Sequence, residues 1–497
     1  MNLDKKAKII STSTLVIVLA AVIAYCLFIQ LYLPNLYGTD GYYHIKVASF
    51  LRDFGLNYNF RWAQFSTFKD SFSDKDLIFH LLTIPFLYLS DDLVTSAKYA
   101  NIFFIICFLL TYLFVLKKYL PNFLVACFLL LPFFSRFFTI YLSFFRPATL
   151  ANIFTILGIY FIIHKRWIKL AFIALFYPLT HLSFPTLIFF ALVCEVIRYK
   201  TKKEFFFRNI YIVVIASLVA CIIHPNSPNN WVSIYLNAIL VPVSSSILGK
   251  ALDFGKEFSS SSARIIFTDN FAVFFSLNLC FWLAFIGRRK LSLSTLTWWC
   301  CSCLYLVFSF FSDRYWYQAN ILFFIFFASY LKDYMEGKTL PEMIPKIRII
   351  LLFYLTVPII FAAYTLNYIK SNVAVFAKMN AHYETVGKWM NKNIPEGETI
   401  YHAYWSDSPY FICFNPKNNY MVTLDPIYMF APYPKKYVAY QGLIHGKGDP
   451  YQIIKGTFGL TYGYTRNNNK LYKHIKAKEN SFQILYEDHM GTVFKLL

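Results

Sequence analysis

IISTSTLVIVLAAVIAYCLFIQLYL, residues 9–33, and the stretch that follows it, Thr39-Asp40-Gly41-Tyr42-Tyr43-His44-Ile45-Lys46, decide the class of this chain. Lys5, Lys6 and Lys8 precede the apolar run as they would in a secretory signal. The run is longer than a signal's apolar core and no small-residue cleavage site ends it, so it reads as a retained first membrane span. Composition agrees. Of 497 residues, 58% are hydrophobic and only 15% charged, a balance that places the bulk of the chain in lipid. The net charge of +21 would suggest nucleic acid in a soluble protein. Here the surplus Lys and Arg fall in short connections between apolar runs, so they read as an orientation signal and no nucleic-acid partner is expected. Nine of the ten Cys lie in apolar segments and only Cys413 lies in the polar tail, so no disulfide framework is visible.

A helix needs about 20 apolar residues to cross the hydrocarbon core. Candidate spans are residues 9–33, 97–116, 122–142, 147–163, 168–182, 184–197, 207–224, 266–286, 293–311, 315–331 and 348–368. The apolar stretch Leu77 to Leu89 is short and broken by Pro85, and reads as a surface or re-entrant helix. About eleven spans put the termini on opposite sides. With the N-terminus inside, the inner connections carry Lys117 and Lys118, then Lys165, Arg166 and Lys169, then Arg198, Lys200, Lys202 and Lys203, then Arg288, Arg289 and Lys290, then Lys332, Lys338 and Lys346. This is the positive-inside pattern at every turn. The expected architecture is a membrane α-helical bundle over residues 1–369, with outer loops at 34–96 and 225–265, and a soluble extracytoplasmic α/β domain over 370–497. In that tail a helix is expected near Tyr383 to Asn391, with strands at Thr399 to Ala403, Tyr420 to Leu424, Ile484 to Glu487 and Thr492 to Leu496 and a hairpin turn at Glu487 to Gly491.

Several outer-face residues are able to carry chemistry. Tyr43, Val47, Phe50, Leu51 and Phe54 form one stripe of a helix lying along the membrane surface. Asp40 and His44, four apart, share a face of it if the helix begins early. Asp40 then reads either as a helix cap or as a base for the proton of an acceptor nucleophile. Asp74, Lys75, Asp76 and His80 read first as a solvated cap of the next helix and second as catalytic. Arg146 before Pro147, and Arg314 after Asp313, suit either interfacial anchoring or a lipid-borne phosphate, to which a guanidinium fork is matched. Glu257, before the Ser-rich run Ser259 to Ser262, reads as a solvated charge or as part of a mobile loop closing over substrate. No nucleotide-binding or zinc-protease spacing occurs.

These residues in this order resemble the GT-C superfamily of membrane glycosyltransferases, and most closely the catalytic subunit of oligosaccharyltransferases. Asp40-Gly41-Tyr42-Tyr43-His44-Ile45-Lys46 looks like the family's first-outer-loop element of an Asp, paired aromatics, a His and a basic residue. The resemblance makes Asp40, with His44, the catalytic base region, Glu257 the acidic residue of the mobile loop, and Arg314 and Arg146 the donor-phosphate ligands. In the tail, Trp405-Ser406-Asp407-Ser408-Pro409-Tyr410 is similar to the stretch with the Trp-Trp-Asp-Tyr-Gly motif, making Trp405 and Asp407 the acceptor-binding residues. In oligosaccharyltransferases an acidic pair in the second outer loop helps hold a divalent metal; here that place reads Phe144-Phe145-Arg146-Pro147. Other GT-C members use the first-loop Asp without metal, so no cofactor is assigned, with Mg or Mn the alternative that the family leaves open.

The implied activity is transfer of a sugar or oligosaccharide from a polyprenyl-phosphate or diphosphate donor to a protein, lipid or glycan acceptor. The expected site of action is the extracytoplasmic face of a bacterial inner membrane. The alternatives are a transporter or flippase of a lipid-linked glycan, against which stands the lack of an inverted repeat, and an assembly subunit that has lost activity.

Overall fold

The run at residues 9–33 becomes one helix, Leu3–Tyr32. Nothing within it interrupts the helical period, and Pro34, which disfavours helical backbone at Leu33, stops it. The structure is a computed structural model that describes residues 3–56, 58–241, 252, 254–255, 259–286, 290–336, 363, 367–368, 370–371, 373 and 375–497. Two of its helices, Ile9–Tyr32 and Leu93–Leu116, are each long and apolar enough to cross a membrane. Six further expected spans coincide with the helices Ala148–Ile163, Trp167–Phe176, Pro185–Lys202, Phe207–Ile223, Leu293–Ser309 and Trp316–Met335. The expected span 348–368 lies almost wholly outside the described residues.

The other two spans are not single helices. Asn122–Phe134 meets Arg136–Ser143 at 84°, and Ala263–Asp269 meets Phe271–Phe285 at 79°. The first break follows Pro132 in a 3-10 turn, and Ser135 leaves helical backbone and accepts from Phe138 N at 3.2 Å, capping the second half. By length and composition, the described helices supply two crossings, or up to four if each bent pair is one; the figure of eleven rests on the sequence pattern.

Contacts divide the chain into two units. One comprises residues 1–34, 98–221 and 255–374. Within it the two breaks are tied together: Ser135 Oγ donates to Asn270 Oδ1 at 2.9 Å, Asn320 Nδ2 donates to the same oxygen at 3.0 Å, and Arg136 pairs with Asp269. Polar groups released by broken helices thereby find partners inside apolar surroundings. Elsewhere in this unit Arg198, counted above among loop charges, is only 2% exposed. It pairs with Glu195 at 3.2 Å, and Asn209 Nδ2 also donates to Glu195, at 2.6 Å. A buried charge needs such partners.

The other unit comprises residues 35–97, 222–254 and 375–497. The segments 35–97 and 222–254, which cover most of the two loops expected from composition, thus fall in one unit with residues 375–497 of the tail. A mixed five-stranded sheet runs β2-β1-β3-β5-β4, with β1 Thr399–His402, β2 Asn419–Tyr420, β3 Tyr462–Arg466, β4 Phe482–Glu487 and β5 Gly491–Leu496. β1 is parallel to β2 and β3, whereas β5 is antiparallel to β3 and β4. The expected hairpin turn at Glu487 to Gly491 joins β4 to β5, with Asp488 Oδ1 accepting from Met490 N at 2.8 Å and Gly491 N at 2.9 Å. Beyond β2, residues 62–65 add to the sheet edge: Tyr420 N donates to Trp62 O at 2.7 Å, Gln64 N to Tyr420 O at 2.8 Å and Phe65 N to Met421 O at 2.8 Å. The stretch 222–254 joins through Asn237 and Tyr428, whose side chains exchange hydrogen bonds at 2.8 and 3.1 Å.

Candidate active site

The helix Asp40–Phe54 begins at Asp40, so Asp40 and His44 do share a face, one turn apart. Thr39 occupies the capping position without a side-chain cap bond. The helix does not lie on a surface with a single apolar stripe. Ten of its residues, Gly41 to Ile45 and Val47 to Leu51, are buried, and only its end, with Phe54, is exposed. It packs on the Ser408–Phe414 helix through Tyr42, whose ring lies 4.6 Å from Tyr410 and 5.6 Å from Phe414.

The next helix, Leu77–Thr83, continues as a 3-10 turn at Ile84–Tyr88, where Pro85 stands, in keeping with the short broken stretch expected there. The charged residues before it are not a solvated cap. Asp74, Asp76 and His80 are all buried, and burial of this much charge requires internal partners. Lys75 Nζ donates to Asp76 Oδ2 at 2.8 Å, and burial raises the Asp76 carboxyl above its usual range despite that cation. His80 Nδ1 lies 2.8 Å from both oxygens of Asp74, and His80 Nε2 lies 2.9 Å from His44 Nδ1. His224 Nε2 donates to Asp74 O at 3.1 Å while its Nδ1 accepts from Asn226 N at 3.0 Å, and the Asn226 side chain accepts from Asp74 N at 3.0 Å. Asp40, His44, Asp74, Lys75, Asp76 and His80 thus share two adjoining segments of one unit.

Asp74 and His80 were not among the sequence candidates as partners of His44. The available signal was His80 itself, an imidazole in the apolar run Leu77-Ile78-Phe79-His80-Leu81-Leu82.

Trp405 and Asp407 lie in a 3-10 turn of the same unit. Asp407 is fully buried, and its Oδ1 accepts from Tyr383 OH at 2.6 Å and from both Nε (3.1 Å) and Nη2 of Arg466. Tyr383 stacks on Tyr410 at 4.3 Å, and Tyr410 meets Tyr42, so tyrosine rings stand between Asp407 and the Asp40 helix. This geometry makes Asp407 a core ion pair. Trp405 is half-buried.

Arg146 and Arg314 belong to the other unit. Arg146 is half-buried, its guanidinium 4.7 Å from the Phe144 ring centre, ahead of Pro147, which caps Ala148–Ile163. Arg314 sits half-buried in the 3-10 turn Asp313–Tyr315. The preceding Asp313 accepts from Ser261 N at 3.0 Å and from Ser261 Oγ, and Asp313 N donates to Ser259 O at 3.2 Å. The Ser-rich run read as flexible is therefore pinned beside Arg314. Glu257 lies outside the described residues.

No protein-family model matches the sequence, and no curated protein matches it. Solved structures do. The apo oligosaccharyltransferase of Archaeoglobus fulgidus is similar with a TM-score of 0.57 at 10% identity, over 90% of this chain and 69% of that one. ArnT from Cupriavidus metallidurans, bound to undecaprenyl phosphate, is similar with a TM-score of 0.59 at 10% identity, over 96% of this chain and 97% of that one. The fold is of the GT-C type. The arabinofuranosyltransferase AftD from Mycobacteria shares the GT-C fold as well, with a TM-score of 0.53 at 11% identity, over 96% of this chain and 40% of that one. The resemblance to oligosaccharyltransferases drawn from the sequence leaves a divalent metal open. Among the described residues no group of three His, Cys, Asp or Glu is placed to hold one, and the stretch where the resemblance expects the acidic pair carries a cation, Arg146. Hard cations need several oxygen ligands, and the described residues do not assemble such a set.

Proposed function

We propose that this chain is an integral-membrane glycosyltransferase that passes a sugar or oligosaccharide from a polyprenyl-phosphate or polyprenyl-diphosphate donor to a protein, lipid or glycan acceptor on the outer face of the membrane. The observation that supports this most is Asp40 with His44 on one face of a helix start, backed by buried acid and imidazole groups, in a fold shared with solved glycosyltransferases. Asp40 is half-buried, open enough to meet an acceptor nucleophile and receive its proton. In this reading Arg314 and Arg146 are the donor-phosphate ligands and Trp405 an acceptor-binding residue; Glu257, expected in the loop over the donor, lies outside the described residues. Stabilising charge on the departing phosphate contributes most, because opposite charges interact strongly where water is scarce.

The test is glycan transfer in membranes from a strain lacking this protein, restored with wild type or Asp40→Ala, with and without a chelator. Restoration by wild type, loss with Asp40→Ala and indifference to chelation are expected. Equal transfer by both proteins, together with glycolipid scrambling in liposomes holding the purified chain, would establish a flippase instead.

A further inference from the structure

Three strands of the tail, β1, β2 and β3, are parallel, and the chain visits them in an order that reverses direction. It leaves β1 for β2 on one side, then returns past β1 to β3 on the other. In sheets wound this way the crossovers diverge and leave a crevice at the carboxyl ends of the strands. The register His402↔Tyr464, carried forward, sets Tyr404 beside Arg466, and the Arg466 guanidinium lies 4.3 Å from the Tyr404 ring centre. The buried Asp407 holds Arg466, whose Nη2 also donates to Ser406 Oγ at 3.1 Å. These bonds use Nε and Nη2; Nη1 has no hydrogen-bond partner among the described residues, and 31% of the side chain is exposed. Tyr404 and Ser406 are half-buried. Tyr440 packs on the same strand end, its ring 6.3 Å from His402, and its hydroxyl, wholly buried in the field of Asp407 and Arg466, has no partner. A buried hydroxyl left open is an exception that a bound group or water accounts for. Beyond β2, Leu424 stands as far past Tyr420 as Tyr404 stands past Ile400, and it holds left-handed backbone at φ 67°. Strain of this kind gathers where a site needs a particular shape.

We propose that this crevice is a sugar-binding site, with Tyr404, Ser406 and Arg466 as its contacts and Asp407 as the residue that positions Arg466. The inference rests on the glycosyltransferase reading and deepens it by making the acceptor a glycan. The chemistry of the crevice selects the ligand. Arg466 brings hydrogen-bond donors, but its charge is matched by Asp407, so the site suits a neutral ligand over a phosphate or carboxylate. The hydroxyls of Ser406 and Tyr404 both donate and accept, as those of a sugar do, and the Tyr404 ring adds apolar area for a sugar's C–H face. A peptide finds less to hold. β1 is bonded to β2 and β3, and β3 to β1 and β5, so neither strand offers a free edge for an extended backbone to join.

The experiment is saturation-transfer NMR on the full chain in detergent. The probes are the methyl glycosides of glucose, galactose, mannose and arabinose, with an Asn-Ala-Thr peptide and glucuronate as comparators. Wild type, Tyr404→Ala, Tyr404→Phe and Ser406→Ala are compared, each checked for an unchanged unfolding midpoint. Saturation transfer to at least one methyl glycoside is expected, with the peptide and glucuronate silent. Tyr404→Ala should weaken binding about tenfold, whereas Tyr404→Phe should keep most of it because the ring remains. Ser406→Ala should weaken it several-fold and carries the test if Tyr404→Ala fails to fold. Signals from the peptide in place of the glycosides, or glycoside binding unchanged in both Tyr404→Ala and Ser406→Ala, would overturn the site. Glycan transfer by wild type without glycoside binding would also overturn it and leave the glycosyltransferase reading intact. Glycoside binding by a wild type that transfers no glycan would overturn that reading and leave the site.

Discussion

Replacing Arg466 by Met removes the cation that pairs with the fully buried Asp407 carboxylate, and the size of the effect follows from the geometry. Asp407 would keep Tyr383 OH at 2.6 Å and lose both guanidinium contacts. A charge so exposed to low dielectric escapes by taking a proton. Asp in an unfolded chain ionises near pH 4, so keeping it protonated at pH 7 costs about 4 kcal/mol, which is the ceiling on the loss. The floor is the two lost charge-assisted bonds, about 3 kcal/mol after allowance for the partial exposure of Arg466. For a unit of about 200 residues, 3 to 4 kcal/mol lowers the midpoint by roughly 6–16 °C. The assay is thermal unfolding of the full chain in detergent, followed by tryptophan fluorescence, comparing variant with wild type at the same pH. In the variant the folded-state carboxyl is raised above its unfolded value, so the deficit is full at neutral pH and fades as pH falls, to about 1.5 kcal/mol at pH 5. Adding Asp407→Asn to Arg466→Met should restore most of the loss. A shift below about 2 °C, a deficit independent of pH, or strict additivity of the two changes would refute the buried-pair reasoning and return Asp407 to the acceptor site.

His402 predicts a second pH dependence. Its Nδ1 donates to Tyr404 O at 2.8 Å and its Nε2 accepts from Met421 N at 3.1 Å, so protonation would set two donors against each other; burial pushes its pKa down from 6.5 to about 4. The stability held by neutral His402 is complete above pH 6.5 and is lost as pH falls toward 4, about 3 kcal/mol in all; unfolding midpoints measured at pH 7 and pH 4.5 should differ accordingly, and His402→Gln should flatten that slope. Gly463→Ala places a methyl group against the Phe494 ring, and overpacking should cost about 1–3 kcal/mol, read as a lower midpoint that Phe494→Leu partly relieves. Asp313→Asn weakens the tie to Ser261 and should speed protease cleavage within residues 259–262 several-fold while leaving the midpoint of the tail unit unchanged.

Much of this fold was legible because its strongest signals are long and local. The first helix follows from an unbroken apolar run ended by Pro34, and β4, β5 and their turn follow from alternation around Glu487 to Gly491. What escaped depends on partners distant in sequence. β3 carries Gly463 where a side chain would be expected, because Phe494 fills that space from across the sheet, and a glycine in a strand reads as a turn. The break at Asn270 has no proline to announce it, and the partners that hold the Asn270 side chain there, Ser135 and Asn320, are distant in sequence. Asp40 and His44 stood out as a charged motif after a span. Asp74 and His80 did not, since charges flanking an apolar run read as solvated until something covers them, and here residues 222–230 and the tail do so.

The edge of the sheet carries a consequence for how the protein is made. The strand-like residues 62–65 that close β2 are synthesised more than 350 residues before Tyr420. They must wait for their partner to emerge. A tail expressed by itself would present β2 as an open edge beside the uncovered rings of Tyr410 and Tyr428, which are surfaces that recruit other chains. The soluble-looking final quarter of this sequence is therefore poorly suited to being handled alone, and tolerance to truncation should end well before the tail's own boundary is reached.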